Sequence, residues 1–381
     1  MSAREVAVVG AGIVGAAVAR ELAVRGAGVV LLDAGEVSGG TTGLGEGNVL
    51  CSDKDAGPEL ELAVLGRAAY DELEATYGRR ARIRRKGALV VHRGEAGLAA
   101  EPARIERLRA AGVECELLEP AQARALEPAL APNLLGATWV PGDLQCDPRA
   151  IARAMAEEPG VRVRTQTRVE ALAADRVETA AGTLRADHVV LAAGPWSAAL
   201  ARSAGLDLPL EPRKGQLVRL AGRLDVRHKV VDGSYLAAVA APTAGLQIST
   251  VVETTYDGAV LVGSSRERRG FDTSVDAAVT ARLFDAAASV VPGVAALRPD
   301  AAWAGLRPWL PDGLPALGRS RTGVWVATGH EGAGIGLGPI SGELLAAALS
   351  GERPALDLAP FDPDRFGSGA ATAPRPPAAR G

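Results

Sequence analysis

Residues 5 to 33 read as one compact supersecondary unit. The apolar run Glu5 to Val9 ends in Gly10-Ala11-Gly12-Ile13-Val14-Gly15, a helical pattern follows from Ala16 to Arg25, and a second apolar run, Val29 to Leu32, ends at Asp33. A strand that enters a helix through glycines at this spacing has few solutions. The first glycine permits the tight turn, the second lets the backbone approach a pyrophosphate, and the third lets the helix pack closely. The helix N-terminus then faces phosphate charge, and Asp33 stands where a ribose hydroxyl would sit. The pattern predicts a Rossmann-type α/β sheet and a dinucleotide, without choosing between NAD and FAD.

Three later segments favour FAD. Gly39-Gly40-Thr41-Thr42-Gly43-Leu44-Gly45-Glu46-Gly47-Asn48 offers hydroxyls and amides suited to a phosphate and a ribityl chain. Val189-Val190-Leu191-Ala192-Ala193-Gly194-Pro195-Trp196 reads as a buried strand ending in small residues, where backbone can lie close to a large flat cofactor. Thr328-Gly329-His330-Glu331-Gly332-Ala333-Gly334-Ile335-Gly336-Leu337-Gly338-Pro339 precedes an expected helix from about Pro339 to Leu349, whose dipole would stabilise negative charge on a reduced ring.

Composition narrows the partners. At 381 residues with 48% hydrophobic residues the chain can build two interlocked domains. A net charge of -3 gives no reason to expect nucleic acid or an anionic membrane surface. Arg20, Glu21 and Arg25 interrupt the apolar start, which therefore predicts a core strand and helix rather than a membrane span or signal peptide. Cys51, Cys115 and Cys146 lack C-x-x-C spacing, so a reducing cytoplasm is expected. His92, His188, His228 and His330 form no metal motif, and neither Gly-x-Ser-x-Gly nor a P-loop is present. Lysine occurs only at positions 54, 86, 214 and 229, which reads as a mark of genome composition with no functional meaning.

Further elements are expected as helices over residues 58 to 78, near Pro102 to Ala111, after Asp147-Pro148 and near Val279 to Ser289. Strands are expected at Ala88 to His92, Val161 to Arg164, Val169 to Leu172, Asp187 to Ala192, Gln216 to Leu220, Leu246 to Val252, Ala259 to Gly263 and Val324 to Ala327. This alternation predicts a cofactor domain from residues 1–50, 140–210 and 312–366. A substrate domain is expected from 51–139 and 211–311, with the active site between the two and a disordered tail at 367–381.

From Val6 to Leu349 the chain resembles the D-amino-acid oxidase superfamily of FAD enzymes, which includes glycine and sarcosine oxidases and D-amino-acid dehydrogenases. Residues 40–48 and 329–335 are most similar to hydroxyproline and opine dehydrogenase-type flavoproteins. The resemblance implies a Rossmann-type FAD-binding domain with a discontinuous, mainly antiparallel α+β substrate domain. It also implies noncovalent FAD, because the 40–48 loop carries no histidine or cysteine. In glycine oxidase-like relatives the stretch matching Trp303-Ala304-Gly305-Leu306-Arg307-Pro308 places its arginine on the substrate carboxylate, which makes Arg307 the first candidate anchor. Those relatives carry another arginine in the last glycine loop, where this chain has His330-Glu331-Gly332-Ala333, so a second carboxylate clamp is in doubt.

Expected cofactor contacts are Gly10, Gly12, Ile13, Val14, Gly15, Asp33, Ala34, Thr41, Thr42, Gly45, Glu46, Gly47, Asn48, Val169, Ala193, Gly194, Trp196, Arg307, Gly329, His330, Glu331, Gly332, Ala333, Gly334, Ile335 and Gly336. Expected catalytic or substrate residues are Arg307, His330, Glu331 and Tyr235, with Tyr256, Arg266, Glu267 and Cys51 as further pocket candidates. The expected reaction is oxidation of an amino or imino acid, with O2 or another acceptor taking the electrons. A flavin-dependent 2-hydroxy-acid dehydrogenase, the flavin subunit of a larger complex, and a binding protein without turnover stay open as alternatives. A homo-oligomer or a small electron-transfer subunit stays open as partner.

Overall fold

A computed structural model describes residues 4–234 and 245–367; positions 368–381 of the expected tail lie outside the described residues. The chain divides into two units, one from residues 1–43, 152–212 and 307–381, the other from 44–151 and 213–306. The expected crossings stood after residues 50, 139, 210 and 311. They fall after 43, 151, 212 and 306. The first two move because Asn48–Val49 pairs antiparallel with Leu144–Gln145, which assigns both flanking segments to the second unit, and the last places Arg307, expected in the substrate domain, in the first unit.

The first unit is built on a six-stranded sheet. Its order is Ala316–Arg319, Trp325–Thr328, His188–Leu191, Glu5–Val9, Gly28–Leu32 and Val161–Arg164. Glu5–Val9 lies parallel to both neighbours, with Val6 opposite Val29 on one side and His188 on the other. Only Ala316–Arg319 runs antiparallel in this sheet. Val6 to Val9 are all buried, the continuous apolar run expected of a strand covered on both faces. A small antiparallel sheet of Val169–Ala173, Arg176–Thr179 and Gly182–Arg185 is added to it.

The helix expected near Pro339 begins at Gly334 and runs to Ser350, with Pro339 inside it. Its glycines serve packing. A β-carbon on Gly342 would stand 2.6 Å from the Ala17 carbonyl carbon and 2.8 Å from the Ala17 β-carbon, and one on Gly338 would stand 3.2 Å from Ile13. Both contacts are with the fingerprint helix, Ile13–Val24. The stretch Glu331–Ser350 is long and apolar enough to cross a bilayer, yet 72% of it is buried inside the protein. It reads as a core helix.

The second unit holds an eight-stranded sheet. The order is Arg298–Trp309, Glu211–Ala221, Val260–Arg266, Gln247–Thr254, Lys229–Asp232, Ala88–His92, Gly136–Val140 and Glu116–Leu118. Lys229–Asp232 and Ala88–His92 pair in parallel within an otherwise antiparallel run of neighbours from Glu211–Ala221 to Glu116–Leu118. The helix Ala277–Val290 is capped by the Asp276 carboxylate, which accepts from Ala278 N–H. It buries Val279, Leu283, Ala287 and Val290, which share a core with Val218, Val252, Val260 and Val262. The remaining long helices are Pro58–Tyr77 and Glu95–Ala110; the latter opens seven residues before Pro102, which sits on its exposed side.

The close contact of the two glycine-bearing helices yields a stability test. Gly342→Val is expected to lower the urea midpoint of unfolding, because overpacking at this kind of contact costs about 1–3 kcal/mol. Glycine's low helix propensity, a penalty of roughly 1 kcal/mol against alanine, works the other way but is smaller. An unchanged midpoint would show that the two helices can separate without cost.

Candidate functional site

The turn between Glu5–Val9 and Ile13–Val24 is fixed by backbone geometry. Gly10 has φ +107°, and its N–H donates to Leu32 O at 2.7 Å. A β-carbon there would stand 2.4 Å from Ala192 O, so no other residue fits. Asp33 closes the turn from the side. One carboxylate oxygen accepts Ala11 N–H at 2.7 Å and the other accepts Gly35 N–H at 2.8 Å. Each oxygen has a second lone pair, and the residue is half-buried, so the role expected for it toward a ribose stays compatible with these bonds. Ala34 follows, exposed.

The helix start offers the charge complement of a pyrophosphate. Gly12 caps it without a side chain, and no acidic residue occupies its first turn. Thr42, in the short 3-10 helix Thr41–Leu44, accepts the Ile13 N–H at 3.0 Å and lies 3.1 Å from where a Gly12 β-carbon would be. The fingerprint and the Thr41-Thr42 segment, separate in sequence, are therefore one local structure. Val14 is half-buried, and Gly15 sits so close to Gly10 O that a β-carbon would be 1.8 Å away. This cradle fits a dinucleotide.

The other first-unit glycine segments are tied together below this turn. Gly194 has φ +52°, and its carbonyl accepts from Thr328 Oγ1 at 3.3 Å. Thr328 Oγ1 in turn accepts from Ser197 Oγ at 3.0 Å, with both hydroxyls buried. Ala193 is half-buried, and the Trp196 ring, 46% exposed, lies beside Gly40. Val169 opens its strand inside the core with Val189 and Leu191. Nothing in the sequence marked Ser197 or Thr328 as cross-ties, because their partners are more than 130 residues apart.

His330 takes a structural place rather than the acid–base place considered for it. It is buried, and its Nε2 lies 2.9 Å from Ser341 Oγ, which donates its own proton to Leu337 O at 2.7 Å. Nε2 must therefore carry the hydrogen and donate it. Burial pushes the imidazole pKa down to about 3. His330 is neutral and committed at physiological pH.

Glu331, next in the chain, has φ +45°. One of its carboxylate oxygens accepts from Gly332 N–H, and the other stands 4.0 Å from Arg307 Nε. The Arg307 side chain lies against Gly332, 3.5 Å from where a β-carbon would be. Gly329 is buried; Ala333 precedes the first turn of Gly334–Ser350, in which Ile335 and Gly336 are buried. Arg307 and Glu331 are thus brought together within the first unit, each about one-sixth exposed.

In the second unit the 44–48 segment turns its charge inward. Lys229 Nζ lies 3.2 Å from Glu46 Oε2 and 3.4 Å from Glu253 Oε1, while Lys86 Nζ lies 3.2 Å from Glu253 Oε2. Gln145 donates to Glu253 at 2.7 Å, and Asn48 donates to Glu46. Gly47 is pressed against Cys146 O, and Gly45 is half-buried. The Glu46 carboxylate, expected to face the cofactor, takes part in this protein network through Oε2. The desolvation of the buried Glu253 and the half-buried Glu46 requires such partners.

All four lysines are buried and ion-paired, the other two being Lys54 with Asp53 and Lys214 with Asp272. Their scarcity therefore carries structural meaning that composition alone hid. Cys51 is also buried, its thiol pushed up to about 12 by burial and by Asp143, so it is unreactive. Tyr256 is 48% exposed beneath the Arg82 guanidinium, Arg266 is buried and donates to Ser249, and Glu267 accepts from Arg269. Tyr235 lies outside the described residues.

The buried imidazole links stability to pH. Its folded pKa near 3 lies below its unfolded value of about 6.5, so between these the unfolded chain binds the extra proton. Its contribution is complete above pH 6.5 and falls with pH by at most about 1.4 kcal/mol per unit. Asp143, raised to about 6 by burial, acts in the opposite sense and is common to any His330 variant. His330→Gln is expected to flatten the pH dependence of the urea midpoint between pH 7 and 5; parallel curves would refute the assignment.

Comparison with known proteins gives these features a family. Residues 5–348 match a family model described as FAD dependent oxidoreductase. Glycine oxidase of Geobacillus kaustophilus strain HTA426 is 30% identical over 379 residues, spanning 94% of this chain and 96% of that protein. D-amino acid dehydrogenase of Cereibacter sphaeroides strain ATCC 17029 is 32% identical over 332 residues, spanning 82% and 72% respectively. The crystal structure of the Geobacillus glycine oxidase superposes with a TM-score of 0.85 at 29% identity, covering 95% of this chain and 99% of that one. A likeness that runs from the first strand into the last helix, in a chain whose Gly10 turn suits a pyrophosphate, means that this protein belongs to the DAO family of FAD-dependent oxidoreductases.

Proposed function

We propose that the protein oxidises an α-amino or α-imino acid, such as glycine, sarcosine, a D-amino acid or a hydroxyproline-like compound, using noncovalent FAD. The observation that carries this reading is Arg307, a guanidinium at the end of Arg298–Trp309, partly exposed beside the last glycine loop. A planar guanidinium grips a carboxylate bidentately and so fixes the α-carbon in place. The similarity to a glycine oxidase and a D-amino acid dehydrogenase supports the same substrate class.

Residues Gly10 to Gly15, Asp33 and Thr42 would hold the pyrophosphate half of FAD, with Ala193, Gly194 and the 329–336 loop beside the ring. Bound there, FAD supplies a two-electron acceptor for the α-hydrogen, leaving an imine that water hydrolyses unless it is cyclic. The chain's own task is to orient the α-carbon; the bound amino acid gives its ammonium proton to water before the α-hydrogen leaves. A dedicated base is not needed for that. The 2-hydroxy-acid alternative does need one, and His330, the residue considered for it, is buried and donates to Ser341.

An anaerobic screen of flavin bleaching tests the reading. Glycine, sarcosine, D-amino acids or proline-type imino acids should bleach the flavin, and 2-hydroxyglutarate should not; the reverse preference overturns it. Slow reoxidation in air after bleaching would indicate a dedicated electron acceptor in place of O2. Arg307→Ala should keep its flavin but bind substrate roughly 10- to 100-fold more weakly, in line with about 1.5–3 kcal/mol for a hydrogen bond to a charged group. Unchanged affinity would remove Arg307 from the substrate.

A further inference from the structure

Glu331 occupies a backbone position that discourages it. Its φ of +45° lies in the left-handed region, which residues with a β-carbon other than Asn and Asp seldom adopt. Glycines stand at 329, 332 and 334 around it, so the loop has ready use of the residue that would relieve this strain. A glutamate held where glycine fits best points to a use for its side chain.

That side chain is aimed at Arg307. Glu331 Oε1 stands 4.0 Å from the Arg307 Nε, a charge-pairing distance longer than a hydrogen bond, and Oε2 is steadied by Gly332 N–H. Each carboxylate oxygen can accept two hydrogen bonds, so accepting from Gly332 does not exhaust Oε2. Both side chains are only about one-sixth exposed, which weakens solvent screening between them and any ligand. His330, fixed to Ser341, and the helix Gly334–Ser350 hold the turn from either side.

We propose that Arg307 and Glu331 together form a receptor for a zwitterion, with Arg307 taking the substrate carboxylate and Glu331 accepting hydrogen bonds from the amine. This inference rests on the amino-acid reading above and adds the group that selects for nitrogen. A positive and a negative group side by side complement an α-amino acid, whose own charges are adjacent and opposite. A simple carboxylate or 2-hydroxy acid meets the same guanidinium but is repelled by Glu331. Glu331 is thereby a specificity residue that admits amines and disfavours monoanions.

The test uses purified holoprotein and follows the flavin absorption spectrum during anaerobic titration with glycine or sarcosine and, separately, with acetate or glycolate. Glu331→Gln should weaken glycine and sarcosine at least tenfold while leaving acetate and glycolate unchanged or tighter. Arg307→Ala should weaken all four. Glu331→Gly relieves the left-handed backbone and protects folding, and it must show the same loss of amine preference. Equal losses for both ligand classes, or no loss in either Glu331 variant, overturn the proposal. If glycine, sarcosine and the wider amino-acid screen leave the wild-type flavin unperturbed, the substrate reading falls and this inference with it. If the wild type responds and the Glu331 variants keep its preference, the inference alone falls.

Discussion

The contact between the helices Ile13–Val24 and Gly334–Ser350 joins the two ends of the chain, and the first unit depends on it. Gly342 lets the last helix come down on the backbone of Ala17 and Val18, and Gly338 makes room for the side chains of Ile13 and Val14. The phosphate turn lies at the start of one helix and Glu331 just before the other. A close packing contact at two glycines thus sets the spacing between a cofactor turn and a charged loop. Larger side chains at either glycine would move both.

Polar interactions then fix what the helices bring near. Asp33 and Thr42 satisfy the N–H groups of Ala11 and Ile13, while Ser197, Thr328 and Gly194 link the end of His188–Leu191 to the end of Trp325–Thr328. His330 ends in a hydrogen bond to Ser341 inside the last helix. These groups are buried or half-buried, where an unmade hydrogen bond costs more than a made one contributes, so each loop has a defined conformation. The rigid parts are local to the first unit and do not depend on substrate.

The second unit meets the same cost of burial with charge. Lys86, Lys229, Glu46 and Glu253 are balanced two against two, and Gln145 and Asn48 fill remaining hydrogen-bonding positions. Burial pushes Lys86 below its ordinary pKa while Glu253 opposes that shift. A lysine ammonium is compact and strongly hydrated, so its burial here depends on these carboxylate partners. In a chain that otherwise uses arginine, all four retained lysines are buried, as are Arg20, Arg104, Arg213 and Arg266.

The sequence by itself determined the first strand, turn, helix and second strand, because the positive φ of Gly10, the approach of Gly15 to Gly10 and the bonds of Asp33 to Ala11 and Gly35 all fall within residues 10–35; that Gly10 also lies against Ala192 was decided by the tertiary structure. It also carried Asp147 as a cap for Pro148–Ala156 and the apolar spacing of Ala277–Val290, both set by local geometry. The glycines at 334, 336 and 338 read as loop and proved helical. A flexible loop and a closely packed helix use the same residue, and only the presence of Ile13 and Val14 against Gly338 distinguishes them. Glu46, Lys229 and Glu253, and likewise Arg307 and Glu331, become partners only when distant segments fold together. Local steric rules act along the chain and can be read there, whereas burial and charge pairing act through space and were decided by the tertiary structure.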